Sequence, residues 1–281
     1  MIKKVYFLFL ISLNISCQDF GNLKIITELP TDLNEVSGIE YIKYSNYFWM
    51  INDSGNKPRL FAVSEKGKIK EEIEIDAKNH DWEDLTSDEE GNIYIGDFGN
   101  NDNKRENLRI LKVEKNNLSK RKAKVSKIKF TYEDQNKFPP KKNQLFFDAE
   151  AFFYFKNNFY VFTKSRVKNQ PGLTSVYKIP AIEGTHIAKK IGEYNNCNEQ
   201  DCWITSADIS NDRKKVVLLS QSNIIVFSDF TDDNFFNGKI KKIPFTDYSQ
   251  KESIAFKDIN TVLISDEKSH NQGGFLYEHK I

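Results

Sequence analysis

The sequence predicts an all-β chain folded as a single β-propeller of five four-stranded blades. Three observations predict it. Short runs of β-branched and aromatic residues (YFWMI, NIYIG, NFYVFT, VVLLS, NIIVFS, TVLIS) alternate with Asn, Asp, Gly and Lys, and nothing reads as a long amphipathic helix. A two-strand unit with an acidic start recurs five times, at 36–53, 82–97, 149–164, 206–221 and 251–266. Finally, one strand candidate stands alone near the start, and the last repeat lacks one.

Taking the second residue of each unit as a marker gives Ser37, Glu83, Glu150, Ala207 and Glu252, spaced by 46, 67, 57 and 45 residues. A four-stranded propeller blade takes roughly 40 to 50 residues, so the middle two carry insertions. Two further strand candidates follow each of the first four units: RLFAVS and KIKEEIEI, LRILKVEK and KVSKIKFTY, TSVYKIP and AKKIGEY, NIIVFSDF and KIKKIPF. Only GGFLYEHKI follows the fifth, and LKIITELP at 23–30 supplies the missing outer strand. An N-terminal strand therefore completes the last blade, which ties down both ends and leaves no half-open seam. Six blades is the alternative, if 101–147 holds an extra hairpin.

The first residues are excluded from the fold. Lys3 and Lys4 precede an apolar run from Val5 to Leu13, with Ser16 just before Cys17. That is a secretory signal over 1–16, too short to span a membrane as a helix. Cys17 after a small residue looks like a bacterial lipidation site, although Asn14 stands where a Leu is usual. The expected organisation is a signal at 1–16, a lipid-anchored tether at 17–22 and the propeller at 23–281. The expected place is the bacterial outer membrane, facing the periplasm or the surface. Loss of Lys3 and Lys4 takes the formal charge from +1 to −1. Cys197 and Cys202 remain, and an exported chain with an even pair at short spacing predicts a disulfide. Nucleic-acid binding is not expected, because the one dense basic stretch, Lys120 to Lys129, alternates as the polar face of an edge strand.

In a propeller the first strand of each blade lines the central channel, so corresponding residues converge in space. The marker column brings Glu83, Glu150 and Glu252 to one mouth. A second column at the ends of the second strands reads Asp53, Asp97, Lys164, Gln221 and Asp266, and antiparallel pairing should bring it to the same place. Like charges this close cost several kcal/mol in a partly dry site and raise one another's pKa values. Something positive should therefore sit there: Lys164, a bound cation or a cationic partner. Oxygen-only donors favour Ca²⁺, with Glu83, Asp97 and Glu150 as the expected ligands. The plainer reading has the acids bonding neighbouring N–H groups and holding blades in register.

No cofactor beyond Ca²⁺ is suggested, and no catalytic residue stands out: there is no G-x-S-x-G, H-E-x-x-H, P-loop or dinucleotide fingerprint. His80 and Ser54 are the nearest base and hydroxyl.

The segments SGIEYIKYSNYFWMINDSGN, DWEDLTSDEEGNIYIGDFGNN, FDAEAFFYFKNNFYVFTKS, ITSADIS and ESIAF resemble, in that order and across about residues 34 to 266, a group of bacterial exported β-propeller proteins. Those stand loosely near the NHL and SMP-30-like, SdiA-regulated and phytase-like esterase propellers. The resemblance implies the fold, and for the gluconolactonase-like members a Ca²⁺ held at the channel mouth by Glu, Asn and Asp. Two functions follow as expectations. One is a lipid-anchored binding or scaffold module offering its top face to an envelope protein or small ligand. The other is a Ca²⁺-dependent hydrolase of a lactone, ester or phosphoester.

Overall fold

The structure, a computed structural model, describes residues 22–42, 47–269 and 272–281. The signal segment and Cys17 lie outside the described residues.

Among the described residues twenty-one strands follow one another, with single 3₁₀ turns as the helical elements between them. After β1 (Lys24–Glu28) comes a first antiparallel array of β2 (Val36–Glu40), β3 (Phe48–Asn52), β4 (Arg59–Val63) and β5 (Ile69–Ile75). The second has β6 (Trp82–Ser87), β7 (Ile93–Asp97) and β8 (Arg109–Val113), then the two-residue β9 (Lys122–Ala123), then β10 (Val125–Tyr132). The third comprises β11 (Asp148–Phe155), β12 (Asn158–Lys164), β13 (Leu173–Pro180) and β14 (Gly184–Asn195). The fourth comprises β15 (Ile204–Ile209), β16 (Lys215–Ser220), β17 (Asn223–Ser228) and β18 (Lys239–Pro244). The fifth runs β19 (Lys251–Asp258), β20 (Thr261–Asp266) and β21 (Phe275–Lys280), and β1 pairs with β21 as its outer strand.

Outer strands stitch neighbours together. β9 leaves the second array to pair in parallel with β5. β10 pairs in parallel with β14, fusing the second and third arrays into one eight-stranded sheet. The Lys-rich stretch at 120–129 is therefore no edge strand, because β10 has β8 on one side and β14 on the other.

Both faces of the inner strands are buried, which is why runs such as VVLLS read as continuous rather than alternating, while the outer strands keep exposed charged residues. Each face packs on the next array. Trp49, Leu60 and Ile73 meet Trp82, Ile93 and Leu111 between the first and second arrays. Phe98 and Phe130 meet Phe152 and Tyr177 between the second and third. Phe153 and Phe162 meet Leu218 and Phe227, Val217 and Ile224 meet Ile254 and Tyr277, and Leu263 and Leu276 return to Val36 and Phe48. The first strands follow the same order, with β2 beside β6, β6 beside β11, β11 beside β15, β15 beside β19 and β19 beside β2.

First strands of neighbouring arrays share no ladder, so their edge N–H groups need other partners. Side chains supply them. Phe152 N donates to Asp84 (3.2 Å), Tyr154 N to Thr86 (3.1 Å), Ile254 N to Ser206 (3.1 Å) and Phe256 N to Asp208 (2.7 Å). The Ser206 hydroxyl also reaches Asp84 at 3.1 Å, joining the fourth array to the second across the axis. At that level the channel expected along the axis is filled by Asp84 and Ser206, both fully buried.

Candidate functional site: an acidic cavity at one mouth

Each first strand begins with an irregularity. The ladder slips between Val36 and Gly38, Trp82 and Leu85, Ala149 and Ala151, Ile204 and Ser206, and Lys251 and Ser253. A β-bulge leaves one residue unpaired and re-aims its side chain. The residues skipped are Ser37, Glu83 (with Asp84), Glu150, Thr205 and Glu252, and the first-named of each slip all line one cavity of about 130 Å³. The marker column is therefore real in space for four repeats. In the fourth it is displaced by two residues, with Thr205 at the mouth. Ala207, which the sequence alignment placed there, is buried in the core.

The second column is displaced as well. Asp53, Lys164 and Glu267 line the cavity, whereas Asp97 and Asp266 do not. In the paired register Asp97 and Asp266 are equivalent to Asn52, one residue before Asp53. A one-residue offset in a strand turns a side chain to the opposite face. Asp97 instead sits fully buried between Arg105 (2.9 Å) and Arg109 (2.6 Å), with His80 at 3.2 Å. Asp266 accepts from the Tyr277 hydroxyl (2.7 Å) and Phe275 N (2.8 Å). Both hold strand ends together inside their own arrays. His80 shares that arrangement and so is not poised as a base.

The cavity wall carries five carboxylates, Asp53, Glu83, Glu150, Glu252 and Glu267, against Lys164 and Arg166. The two cations are already engaged. Lys164 pairs with Glu150 at 3.0 Å, and Arg166 reaches Asp148 at 2.7 Å and Glu150 at 3.3 Å. Both also lie over the Trp203 ring, at 5.2 Å and 5.0 Å. Trp203 directly follows Cys202, which is bonded to Cys197 in the disulfide that the spacing predicted. Burial alone would disfavour the charge on Lys164, but Glu150 and Glu252 raise its pKa above the usual lysine range.

On the other side Asp53 and Glu83, with Asp81 beside the cavity, form no ion pair among the described residues, although Arg105 acts on Asp81 from farther off. Asp53, Asp81 and Glu83 each offer an oxygen, all within 4.8 Å of one another. Gly99 makes this approach possible, since a Cβ there would stand 1.9 Å from Glu83 Oε1 and 2.6 Å from the Asp81 carboxyl. The backbone N–H of Ser54 donates to Asp53 Oδ1, so this turn serine helps to organise the carboxylates. Burial first, then mutual repulsion, raises the pKa values. Asp53 is pushed up to about 6, Glu252 to about 7 and Glu267 to about 8, and Glu83 is raised well above the carboxylate range. Lining the same cavity, the Ser37 hydroxyl is buried without a hydrogen-bond partner among the described residues.

Sequence reasoning missed Glu267, Arg166, Thr205 and Gln250, all of which line the cavity. Glu267 directly follows Asp266, so a shift of register by one residue brings it into the column. The Glu83, Asp97 and Glu150 set expected for a metal is not brought together.

No family profile and no curated protein matches the chain. Solved structures do. The PQQ-bound aldose sugar dehydrogenase of Streptomyces coelicolor superposes with a TM-score of 0.55 at 8% identity, over 92% of this chain and 97% of that one. A gluconolactonase of Xanthomonas campestris gives 0.50 at 10%, over 91% and 88%. Both are β-propeller proteins. The fold is of the β-propeller kind. At such identities the likeness carries the architecture alone.

Proposed function

We propose that this chain is a five-bladed propeller, exported and held at the cell envelope by a lipid on Cys17, whose acidic mouth is a binding site. The observation that carries the reading is the excess of carboxylates in a small, largely buried cavity, beside a Ser37 hydroxyl that has no partner among the described residues. Several kcal/mol of repulsion in a partly dry site calls for a positive occupant. An oxygen-only donor set fits a hard divalent cation, Ca²⁺ before Zn²⁺. Asp53, Asp81 and Glu83 would hold it, with the Ser37 hydroxyl as an uncharged donor; Glu150 is committed to Lys164 and Arg166. The mouth then serves as a rigid docking point for an envelope protein or a small ligand.

A Ca²⁺-dependent hydrolase of a lactone, ester or phosphoester is the second reading. It is favoured by Glu252 and Glu267, whose pKa values near 7 and 8 suit proton transfer at neutral pH. A bound Ca²⁺ would there polarise a carbonyl or phosphoryl oxygen.

Thermal unfolding with Ca²⁺ and with chelator, for wild type and Asp53→Asn/Glu83→Gln, tests both readings. Stabilisation by Ca²⁺ in wild type alone supports the site, and equal midpoints in every condition remove it. Assays on chromogenic lactones, esters and phosphoesters then separate the two. Turnover lost in the double variant makes the chain an enzyme, and Ca²⁺ binding without turnover makes it a binding module.

A further inference from the structure

The outer edges of the sheets are not alike. Among the described residues, β5 is covered by β9, and β10 and β14 cover each other. Among the described residues β9, β18 and β1 end their sheets on the outside; β9 is only two residues long, so β18 and β1 are the long open edges. An open edge presents unpaired N–H and C=O groups and normally has to be protected. These two edges flank the place where the described chain begins, because the Asn22 side-chain amide donates to Pro244 O at the end of β18 (3.1 Å).

β18 is rich in lysine, as the covered β10 and β14 are, but it has no strand beyond it among the described residues. Its sequence is KIKKIP, with Lys239, Lys241 and Lys242 exposed and Ile240 46% exposed. On β1, Lys24 is exposed and Ile25 is 36% exposed. Lys239 is held by an exposed ion pair with Asp229, which solvent screens, whereas Lys242 already donates to Asn196 O and lies over the Tyr194 ring. From Cys17 to Asn22 an extended chain reaches at most about 17 Å. That is about the length of β18 itself.

We infer that the β18 edge, with Ile25 of β1 beside it, is the face that lies on the membrane, its lysines on anionic phospholipid headgroups and Ile240 at their level. The inference rests on lipidation of Cys17. A tether this short keeps the flank that bears Asn22 close to the leaflet holding the lipid. Lysines near an anionic surface add attraction, and a second signal of this kind stabilises a lipid anchor. The same contact shields the two open edges from pairing with another copy.

The mature lipoprotein, purified in detergent and reconstituted, tests this. The vesicles are phosphatidylcholine alone or mixed with phosphatidylglycerol, each carrying a headgroup nitroxide lipid. Dye is attached at Ile240→Cys or, across the ring, at Lys127→Cys, with the native disulfide left oxidised. Flotation of wild type but not of Cys17→Ser checks the anchor by itself. Quenching several-fold stronger at position 240 than at 127, falling in the mixed vesicles when Lys239, Lys241 and Lys242 are changed to Gln, is the expected result. Equal quenching at both positions in a protein that floats overturns the docking face and leaves the anchor standing. Failure of wild type to float overturns the anchor and the docking face together. Dye self-quenching at 240 that ignores vesicle composition would mean that β18 pairs with a second copy instead.

Discussion

Asp84 and Glu83 are neighbours in sequence and do different work. Asp84 is fully buried and accepts from Leu85 N, Phe152 N, Ala207 N and the Ser206 hydroxyl, so it satisfies donors of three arrays. Glu83 emerges at the bulge and faces the cavity. Asp84→Ala leaves those donors unpaired at about 1–3 kcal/mol each before relaxation, and chemical denaturation should show a loss of roughly 3 kcal/mol or more. Glu83→Gln should cost no stability without cation, since it removes a repelled charge. Unchanged stability in Asp84→Ala would contradict the bridging role. The sequence showed that the acidic segments mattered. It could not divide their carboxylates between holding arrays together and facing the mouth, because that division is set by a bulge rather than by residue type.

At the scale of elements, the bulge also explains which parts of the repeat were legible. Strand identity, repeat spacing and the return of β1 to β21 followed from hydrophobic runs and punctuation, and these survive in the structure. Register did not follow. An extra residue in one strand shifts the partner column by one, and in a strand one residue is the difference between Asp266, tied to Tyr277, and Glu267, in the cavity. The fourth repeat slipped by two because Thr205 and Ala207 carry no charge to anchor an alignment. Two predictions belong here. Gly99→Ala should force Glu83 and Asp81 apart and abolish any Ca²⁺-induced shift in melting temperature, whereas a retained shift would show that the close carboxylate approach is not needed. Deleting residues 22–29 removes β1 with the buried Leu23 and Leu29. It should destabilise the fold by about 3 kcal/mol or more, read by urea denaturation.

For the whole molecule, five apolar clusters between successive arrays form the body, and charge gathers at the mouth. The electrostatics then fix a pH dependence. Asp53, Glu252 and Glu267 have folded pKa values of about 6, 7 and 8, above the unfolded carboxylate values near 4. A raised carboxylate pKa means that the native state holds the proton more tightly. The stability from these groups is therefore complete below about pH 4 and is lost as pH rises through about 6 to 8. Melting of the cation-free protein should show this fall, and Asp53→Asn/Glu83→Gln should flatten it. A cation competes with those protons, so the gain from Ca²⁺ should be small at about pH 5 and grow toward about pH 8. A gain that shrinks over that window would contradict the assignment.

The most direct measurement is a calorimetric titration of the chelator-treated protein with Ca²⁺ at about pH 7.5, beside Asp53→Asn/Glu83→Gln. One saturable site per chain with proton release, absent from the double variant, is the expected result. No binding to wild type, or equal binding to both, would contradict it.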